Sequence, residues 1–467
     1  MLELDPLRVA RQEECIDKWA KNDYNGIADW YPGTGKTYLA ILAIQRVEKM
    51  FKSNYIISVP NDIIYKQWIK LLQQFPVHLK NRIIVKTKGT LITENIKYKD
   101  VGLYIIDEIH EYTSEKSEVL LDKTMIEHKM FLGLTGTTNH INFKNVLKHY
   151  PIIDTVTEYE AKSKGFIAEM IEYNYGLTMN KRDTEIYGNY TKLINELMVM
   201  FDNNLMKAQY ICYGGVNPAN GIRYQSGQWA MALAMKKGWS NKLDMNIPAH
   251  VEIDRKYNPS TFITQANLLL TIVQRRKQLL AFTSIKQETV VKLLKKFTDT
   301  KTIVFSESTK FADRVGLLLN EANIKTAVFH SKIKTQMRPG KTGKLVKFGA
   351  VRLKREAIEG LTNGSIKVLS TTRSLDKGLN IPDLRFSIIT SGTSSIDQET
   401  QRKARAGRKE AHSDDPVLNV NLYIKDTQDE IWLRKRQENN NTSPIFVEKL
   451  EDIVYKPQPN YFNIDDL

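Results

Sequence analysis

Residues 32–43 read PGTGKTYLAILA, a glycine-rich loop that runs directly into a stretch with helical character. The glycines let backbone N–H groups close around phosphate oxygens, and the start of a helix adds a partial positive charge. Lys36 is therefore expected to reach the β and γ phosphates of a nucleotide, and the hydroxyl of Thr37 to hold Mg²⁺. Trp30 stands where the full pattern has Gly or Ala, although the last four residues of the pattern are intact, and the alternative is a chance glycine-rich turn. The predicted nucleotide contacts are Gly33, Thr34, Gly35, Lys36 and Thr37.

A second chemical signal follows the apolar run of residues 102–106, where the sequence continues Asp107-Glu108-Ile109-His110. Two adjacent acids at the end of a buried strand are costly unless they meet a cation or a reacting water. Asp107 is the expected partner of Mg²⁺, and Glu108 is the expected base that polarises the attacking water. The alternative is a solvated acidic turn, which usually lacks the preceding apolar run. The loop and the acidic pair together predict nucleotide hydrolysis.

Size and composition describe an ordinary globular protein. The chain has 467 residues, with 42% hydrophobic and 26% charged residues, enough for two or three domains. It contains no apolar run long enough to span a membrane, and the N-terminus lacks the apolar core of a signal peptide. Cys15 and Cys212 are too few for a disulfide framework or a metal cluster. These features predict a cytoplasmic protein of a bacterial cell or a virus-infected host.

The charge balance points to a polyanionic partner. The formal net charge is +15 and the pI is about 9.3. Such a surplus favours nucleic acids, because neutralised phosphates release condensed counterions; a merely soluble basic surface is the alternative. The surplus is concentrated in residues 203–300, which contain 14 basic and 5 acidic residues, a net +9.

Short apolar runs alternate with helix-like stretches from Gly26 to His140, and the same pattern returns after Lys301. Near-continuous apolar strands separated by helices indicate parallel sheets covered on both faces. The sequence therefore predicts an α/β fold with two parallel-sheet lobes, whose functional loops lie at the carboxyl ends of the strands. The predicted strands are residues 55–59, 102–106, 130–134, 302–305, 326–329, 366–370 and 386–389.

Residues 161–285 fit neither lobe and are predicted to form a basic inserted or connecting subdomain, with helices at 185–199 and 264–280. Lysines for phosphates beside aromatic rings for base stacking are one means of holding single strands. The alternative, which is favoured for any single ring, is that the aromatic residues form the small core of the subdomain. The candidate contacts are Trp229, Trp239, Lys236 and Lys237.

With the glycine-rich loop and the Asp107–His110 run in this order and spacing, the chain resembles superfamily 2 helicases and translocases with a DExH box. The resemblance covers about residues 7–436 and implies two RecA-like lobes, the first at 1–160, that bind ATP and Mg²⁺ in the cleft between them. It also implies that Gln12 reads adenine. The implied residues that couple hydrolysis to lobe movement are His110, Thr135 and Thr137. The implied nucleic-acid contacts of the first lobe are Pro60 and Thr90.

The second lobe, residues 286–437, resembles the same family. The run QRKARAGR at 401–408 resembles the motif whose arginines cross the cleft to the γ-phosphate, with Ala404 in place of a glycine. An arginine supplied from the other lobe stabilises charge in the transition state. The implied residues are Ser306, His330 and Thr372 for nucleic acid, Asp376 and Gly378 for the nucleotide, and Gln401, Arg405 and Arg408 for catalysis. Residues 438–467 are predicted to be a C-terminal tail of unknown role.

Within the superfamily, residues 154–177 resemble proteins of the excision-repair XPB type and phage branch-migration helicases. The run Thr135-Gly136-Thr137, with Asn139, is also similar to chromatin-remodelling translocases. The resemblance implies a DNA helicase that unwinds or migrates forked or branched DNA in recombination, repair or replication, with proteins of those processes as partners. The alternatives are a duplex translocase, a restriction-system motor without strand separation, and an ATP-switched DNA-binding protein. RNA stays open as a substrate, since phosphate contacts say little about the sugar.

Overall fold

The first lobe is built on six parallel strands. The structure, a computed structural model, describes residues 6–136, 143–217, 220–237, 258–298, 300–339, 344–372, 381, 384–392, 416–438 and 443–455. The strands are β1 (Asn25–Trp30), β2 (Asn54–Val59), β3 (Ile83–Thr87), β4 (Tyr98–Asp107), β5 (Ile126–Thr135) and β6 (Ile152–Val156). Their order is β3-β2-β4-β5-β1-β6, and every pairing is parallel, which confirms the predicted sheet.

Both faces of this sheet carry an apolar core, which explains why its strands lack polar alternation. Tyr55 and Ile57 belong to one cluster of buried residues, whereas Ile56 between them belongs to another. Successive side chains of a strand point to opposite faces, so each face needs its own cover of helices. The helices are α1 (Pro6–Lys21), α2 (Lys36–Met50), α3 (Asp62–Leu72), α4 (Val77–Lys80), α5 (Lys88–Glu94), α6 (Glu115–Glu118), α7 (Phe143–Leu147) and α8 (Glu158–Ser163).

A strand of the second sheet, β7 (Met170–Leu177), precedes a separate helical unit at residues 178–286. The helical unit packs around its own core, in which Phe201 and Phe262 meet edge to face. Both predicted helices are present with longer bounds. The elements are α9 (Lys181–Met198), α10 (Leu205–Tyr213), β8 (Gly215–Val216), β9 (Arg223–Tyr224), α11 (Ser226–Lys236) and α12 (Pro259–Ala281).

The second lobe contains a parallel sheet and a separate hairpin. Its strands are β10 (Thr302–Phe305), β11 (Thr326–Phe329), β12 (Gln336–Pro339), β13 (Leu345–Phe348), β14 (Val368–Thr371), β15 (Phe386–Ile389), β16 (Val417–Ile424) and β17 (Ile445–Val447). The sheet order is β11-β14-β10-β15-β16-β7-β17, while β12 and β13 pair only with each other. The helices are α13 (Ser284–Lys296), α14 (Thr309–Glu321), α15 (Ala350–Asn363) and α16 (Gln428–Gln437). Within the described part of the chain, no helix is long and apolar enough to cross a membrane.

The domain boundaries differ from those expected from the sequence. The connecting subdomain was expected to begin at residue 161, but β7 lies between β16 and β17 in the second sheet, and the helical unit begins at residue 178. The segment expected to be a C-terminal tail contributes β17 to the same sheet. Both strands pair with partners far away in the chain, and local sequence patterns do not carry such pairings.

A buried polar ladder sets the register of β7. The side-chain amide of Asn421 donates to Glu172 Oε1 at 2.7 Å and to Asn174 Oδ1 at 3.0 Å. Gln437 of α16 donates to Asn174 Oδ1 at 3.0 Å. A shift of one residue would turn Glu172 and Asn174 to the opposite face of the sheet and leave these groups without their partners. The ladder therefore specifies how the chain enters the second lobe.

His128 is a buried imidazole in the first lobe. Its Nδ1 lies 2.7 Å from the Ile126 carbonyl oxygen, and its Nε2 lies 3.0 Å from the Tyr150 hydroxyl. Burial lowers the pKa of His128 to about 4. The folded protein therefore holds this imidazole neutral, whereas the unfolded chain protonates it near its ordinary pKa of about 6.5.

We expect the free energy of unfolding to decrease as the pH is lowered from 6.5 to 4. In this range the unfolded chain binds a proton at His128, whereas the folded protein does not. The full effect is about 3 kcal/mol. In His128→Gln, denaturant unfolding should lose this part of its pH dependence. His78→Gln is the control, since the His78 side chain is exposed in the folded protein. An unchanged slope in His128→Gln would contradict the assignment.

Candidate nucleotide-binding site

The glycine-rich loop connects the carboxyl end of β1 to the first residue of α2. Gly33 and Gly35 have φ values of 91° and 99°, in the left-handed region that favours glycine. Gly35 is the residue before the first turn of α2, which begins at Lys36. The exposed Thr37 lies in that turn. The loop and the helix start that follows it have the geometry of phosphate-binding loops.

Lys36 lies over the backbone of the strand that precedes it. Its ammonium group donates to the Trp30 carbonyl oxygen at 3.0 Å, and the side chain is buried. Trp30 contributes that backbone oxygen, while its ring packs in the apolar core. The large side chain at this position therefore points away from the loop, which explains why the departure from the usual small residue leaves the loop intact.

Gly136, at the end of β5, is a site residue that the sequence analysis missed. A Cβ atom added there would lie 2.7 Å from Lys36 Nζ and 2.8 Å from the Trp30 carbonyl oxygen. Side chains do not tolerate such distances, so only glycine lets β5 approach the lysine this closely. The sequence did contain a sign of this role. Gly136 lies between Thr135 and Thr137, in a motif that the sequence analysis assigned only to the coupling of hydrolysis to lobe movement.

Asp107, the last residue of β4, is buried and accepts a hydrogen bond of 2.9 Å from the Trp68 indole. Burial and the neighbouring Glu108 carboxylate raise the pKa of Asp107 to about 6, against the opposing effects of that hydrogen bond and of Lys36. A buried carboxylate with so little compensation suits a cation that binds later. The Trp68 ring is buried, and its indole N–H holds the Asp107 carboxylate in place.

Glu108, His110 and Thr135 form a connected polar group. His110 Nδ1 lies 3.1 Å from Thr135 Oγ1 and 3.4 Å from Glu108 Oε2. Glu108 has a φ of 54°, a left-handed conformation that a non-glycine residue adopts at a cost of about 1 kcal/mol or more. The structure thus brings the expected base and two of the expected coupling residues into contact. Because the three side chains contact one another, a displacement of one changes the hydrogen bonds of the others.

Gln12 on α1 lies beside the loop. Its Nε2 donates to the Gly35 carbonyl oxygen at 3.1 Å, and its Oε1 is buried without a hydrogen-bond partner among the described residues. An amide with an unsatisfied acceptor fits an amino group such as the one on adenine. The position and the unsatisfied oxygen therefore agree with the nucleotide-reading role expected of Gln12.

A buried ion-pair network fixes α1 against the sheet. Arg11 donates to both carboxylate oxygens of Asp154, at 2.7 Å and 3.0 Å, and to Glu160 at 2.9 Å. Lys18 and the Trp30 indole also donate to Asp154. Burial would raise the pKa of Asp154, but the hydrogen bonds from Arg11 and Lys18 lower it below its ordinary value. Because Gln12 follows Arg11 directly, this network also sets the position of Gln12.

The side chains expected to contact nucleic acid are mostly engaged inside the lobes. Ser306 is buried, and its hydroxyl donates to the Ser308 carbonyl oxygen at 3.0 Å. His330 is buried, with Nε2 2.8 Å from Asp313. Thr372 is buried too, whereas Pro60 and Thr90 are partly exposed. Any contact from the Ser306 and His330 segments has to come from backbone groups or neighbouring side chains.

In the helical unit, Trp229 belongs to the local structure. Its ring stacks on Tyr210 with centroids 4.8 Å apart, and its indole donates to the Gly215 carbonyl oxygen at 3.2 Å. Asp202 lies 3.7 Å from Lys236 Nζ and accepts hydrogen bonds of 2.6 Å from Lys237 and from Lys207. Trp229 is partly buried and packs against the core of the helical unit, and the two lysines share one carboxylate.

Several expected site residues lie outside the described residues. They comprise the second-lobe residues that would complete the nucleotide site, one coupling residue and one aromatic residue of the helical unit: Asp376, Gly378, Gln401, Arg405, Arg408, Thr137 and Trp239.

Two family models match the chain. The one described as "Type III restriction enzyme, res subunit" matches residues 7–140, and the one described as "Helicase conserved C-terminal domain" matches residues 285–410. "DNA 3'-5' translocase XPB2" of Sulfurisphaera tokodaii is 23% identical over 439 residues, which is 91% of this chain and 84% of the relative. "ATP-dependent DNA helicase RecG" of Thermotoga maritima is 27% identical over 152 residues, 27% of this chain and 19% of the relative.

Solved structures share the fold. The helicase domain of Pyrococcus furiosus Hef covers 93% of this chain and 98% of its own, with a TM-score of 0.51 at 14% identity. S. cerevisiae Dbp5 bound to RNA and ADP BeF3 covers 97% of this chain and 95% of its own, with a TM-score of 0.56 at 12% identity. The lobes are RecA-like, and the chain is a superfamily 2 helicase or translocase. Within that class it resembles the XPB type.

We expect Gly136→Ala to lower ATP turnover, because the new methyl group must displace the Lys36 ammonium or the β1 carbonyl behind it. A misplacement of this kind reduces kcat/KM by roughly 10- to 100-fold. Gly89→Ala is the matched control, since its added Cβ meets only Thr87, at 3.9 Å. Steady-state ATPase assays of both variants, with thermal unfolding to verify the fold, decide the point. Equal activity of Gly136→Ala and the wild type would refute the close approach.

Proposed function

We propose that the protein is an ATP-dependent DNA helicase that couples hydrolysis to translocation and to unwinding or branch migration of forked or branched DNA. The observation that carries the proposal is the meeting of the Lys36 loop, the buried Asp107 and the Glu108–His110–Thr135 group at one edge of the first sheet. The names of the two relatives, a DNA translocase and a DNA helicase, support DNA as the substrate. Recombination, repair or replication is the proposed setting.

ATP with Mg²⁺ supplies the phosphoanhydride bond whose cleavage drives the cycle. Lys36 would exchange the Trp30 carbonyl oxygen for phosphate oxygens, and Gln12 would satisfy its buried Oε1 on the adenine. Thr37 and Asp107 would each offer an oxygen ligand to Mg²⁺, a cation that ordinarily takes further ligands from phosphates and water. Glu108 would accept the proton of the attacking water. The resulting loss of negative charge on Glu108 would alter its contact with His110.

The second lobe completes this site in our proposal. The run at 401–408 would supply Arg405 and Arg408, with Gln401, to the γ-phosphate when the lobes close, and residues 376–378 would contact the nucleotide. Closure that depends on the γ-phosphate is released by hydrolysis, because the two nucleotide states then differ in their contacts to the second lobe. Each lobe would bind the nucleic-acid backbone. One cycle of closure and opening would therefore move the bound position of one lobe along the strand.

Nucleic-acid contacts are proposed on both lobes and on the helical unit. Pro60 and Thr90 are partly exposed in the first lobe, and the segments of Ser306, His330 and Thr372 follow strands of the second. In the helical unit, Lys236 is exposed and Lys237 retains part of its surface. Three lysines around the single carboxylate of Asp202 leave an excess of positive charge for phosphates.

We expect Glu108→Gln to lower kcat for ATP hydrolysis on the order of 10²- to 10⁴-fold, because the amide cannot accept the proton of the attacking water. ATP affinity should persist, since Lys36 and the loop are unchanged; a fluorescent ATP analogue measures it. The control is Glu115→Gln, an exposed acid on the following helix. Undiminished turnover in Glu108→Gln would rule out Glu108 as the base.

A motor without strand separation is the second candidate, favoured by the match of residues 7–140 to a restriction-enzyme subunit and by the translocase relative. ATPase, unwinding and triplex displacement should be measured side by side on single-stranded, duplex, forked and four-way DNA and on RNA. We expect turnover to rise with DNA and labelled strands to separate on forks. Triplex displacement without strand separation would favour the translocase, and turnover that is independent of nucleic acid would favour an ATP-switched binding protein.

A further inference from the structure

The hairpin of β12 and β13 stands apart from the main sheet of the second lobe. It follows β11 and precedes α15, and its two strands pair with each other in a sheet of their own among the described residues. Met337 pairs with Lys347, and Gln336 pairs with Phe348, in an antiparallel register. A two-stranded ribbon alone is marginally stable in water. We therefore expect this hairpin to have a binding partner or a function.

The hairpin lies within the longest one-sign charge run of its lobe. Residues 331–355 contain nine Lys and Arg residues and no Asp or Glu. Lys332, Lys334, Lys344 and Lys347 are all exposed. No ion pair joins Lys344 or Lys347 to another residue in the described part of the chain, in contrast to the lysines around Asp202 in the helical unit. Among the described residues of the second lobe, no acid neutralises the charge of these two lysines.

Large apolar side chains lie beside these lysines. Met337 is 58% exposed and Leu345 is 66% exposed, while Phe348 at the base is buried. The base is further held by Arg352, whose guanidinium lies 3.8 Å from the centroid of the Phe348 ring. The ribbon is thus held at Phe348, and its described residues beyond Phe348 present lysines and apolar groups to solvent.

Charges also protect an open strand edge from pairing with other chains. Lysine is the usual charge for that purpose, but the basic run extends beyond both strands, from residue 331 to residue 355, so edge protection alone does not explain it. Binding to nucleic-acid phosphates does explain a run that contains only positive charges. Each Lys or Arg that neutralises a phosphate releases condensed counterions and so favours binding. A two-stranded ribbon also has the size that the major groove of duplex DNA admits.

We propose that the β12–β13 hairpin is a duplex-contacting element, with Lys344 and Lys347 on the phosphates and Leu345 and Met337 against the groove. The inference rests on the proposed DNA-dependent function and adds a contact surface to it. The duplex contacted is the part that has not been unwound, since a single strand offers no groove for a ribbon.

The test is the salt dependence of DNA binding by the full chain carrying Lys344→Ser and Lys347→Ser. On blunt duplex DNA we expect the slope of log affinity against log salt to fall by about 2, with affinity weakened roughly tenfold at low salt. Single-stranded DNA should show no such change. The control is Lys97→Ser with Lys99→Ser, two exposed lysines at the amino end of β4 that remove the same charge. Thermal unfolding verifies the fold of each variant.

A second measurement does not depend on the lysines. In a Cys212→Ser background, a photo-crosslinker on Leu345→Cys should attach to duplex DNA, and one on the exposed Val77→Cys should not. Equal salt slopes for the hairpin and control variants, a change confined to single strands, or crosslinking at neither position would each overturn the proposal. If the wild type neither binds DNA nor responds to it, the proposed function fails instead, so the two failures are distinguishable.

Discussion

The contact between the Lys36 ammonium and the Trp30 carbonyl oxygen depends on a constraint that organises the whole first lobe. Parallel strands bring all their carboxyl ends to one edge of the sheet. With β5 between β4 and β1, the loop after β1, the acids after β4 and Gly136 after β5 must meet there. Lys36 fits only because Gly136 lacks a side chain and because the Trp30 ring turns into the core. One topological fact thus assembles residues that are about 100 positions apart.

Two buried aspartates of this lobe show how structure and function use the same group differently. Asp154 is surrounded by Arg11, Lys18 and the Trp30 indole, which lower its pKa, and losing one partner of such a buried pair costs about 3–5 kcal/mol. Asp107 has one indole hydrogen bond, and burial raises its pKa to about 6. The first carboxylate is satisfied by the protein itself. The second carries a net desolvation cost in the folded protein, which is why we propose it as the cation ligand.

Much of the fold was predictable because its signals are local. Strands β10, β11 and β15 begin and end where the apolar runs do, and the helices of the helical unit follow their periodicity. The predicted boundary at residue 161 was wrong because β7 reads as an ordinary polar-apolar strand. It joins the second lobe through Glu172 and Asn174, whose partner Asn421 lies about 250 positions later. Strand pairing over such a distance leaves no local trace in the sequence.

The sequence by itself determined the class of the protein and the candidate residues of a phosphate loop and an acidic pair, because such sites need particular residue types at short spacings. The tertiary structure alone decided that Trp68 holds Asp107, that Gly136 leaves room for the Lys36 ammonium, and that Trp229 packs against the core of its unit. It also decided that Ser306 and His330 turn inward. These outcomes depend on which way a side chain points and on what lies opposite it, and only the packing of distant segments settles both.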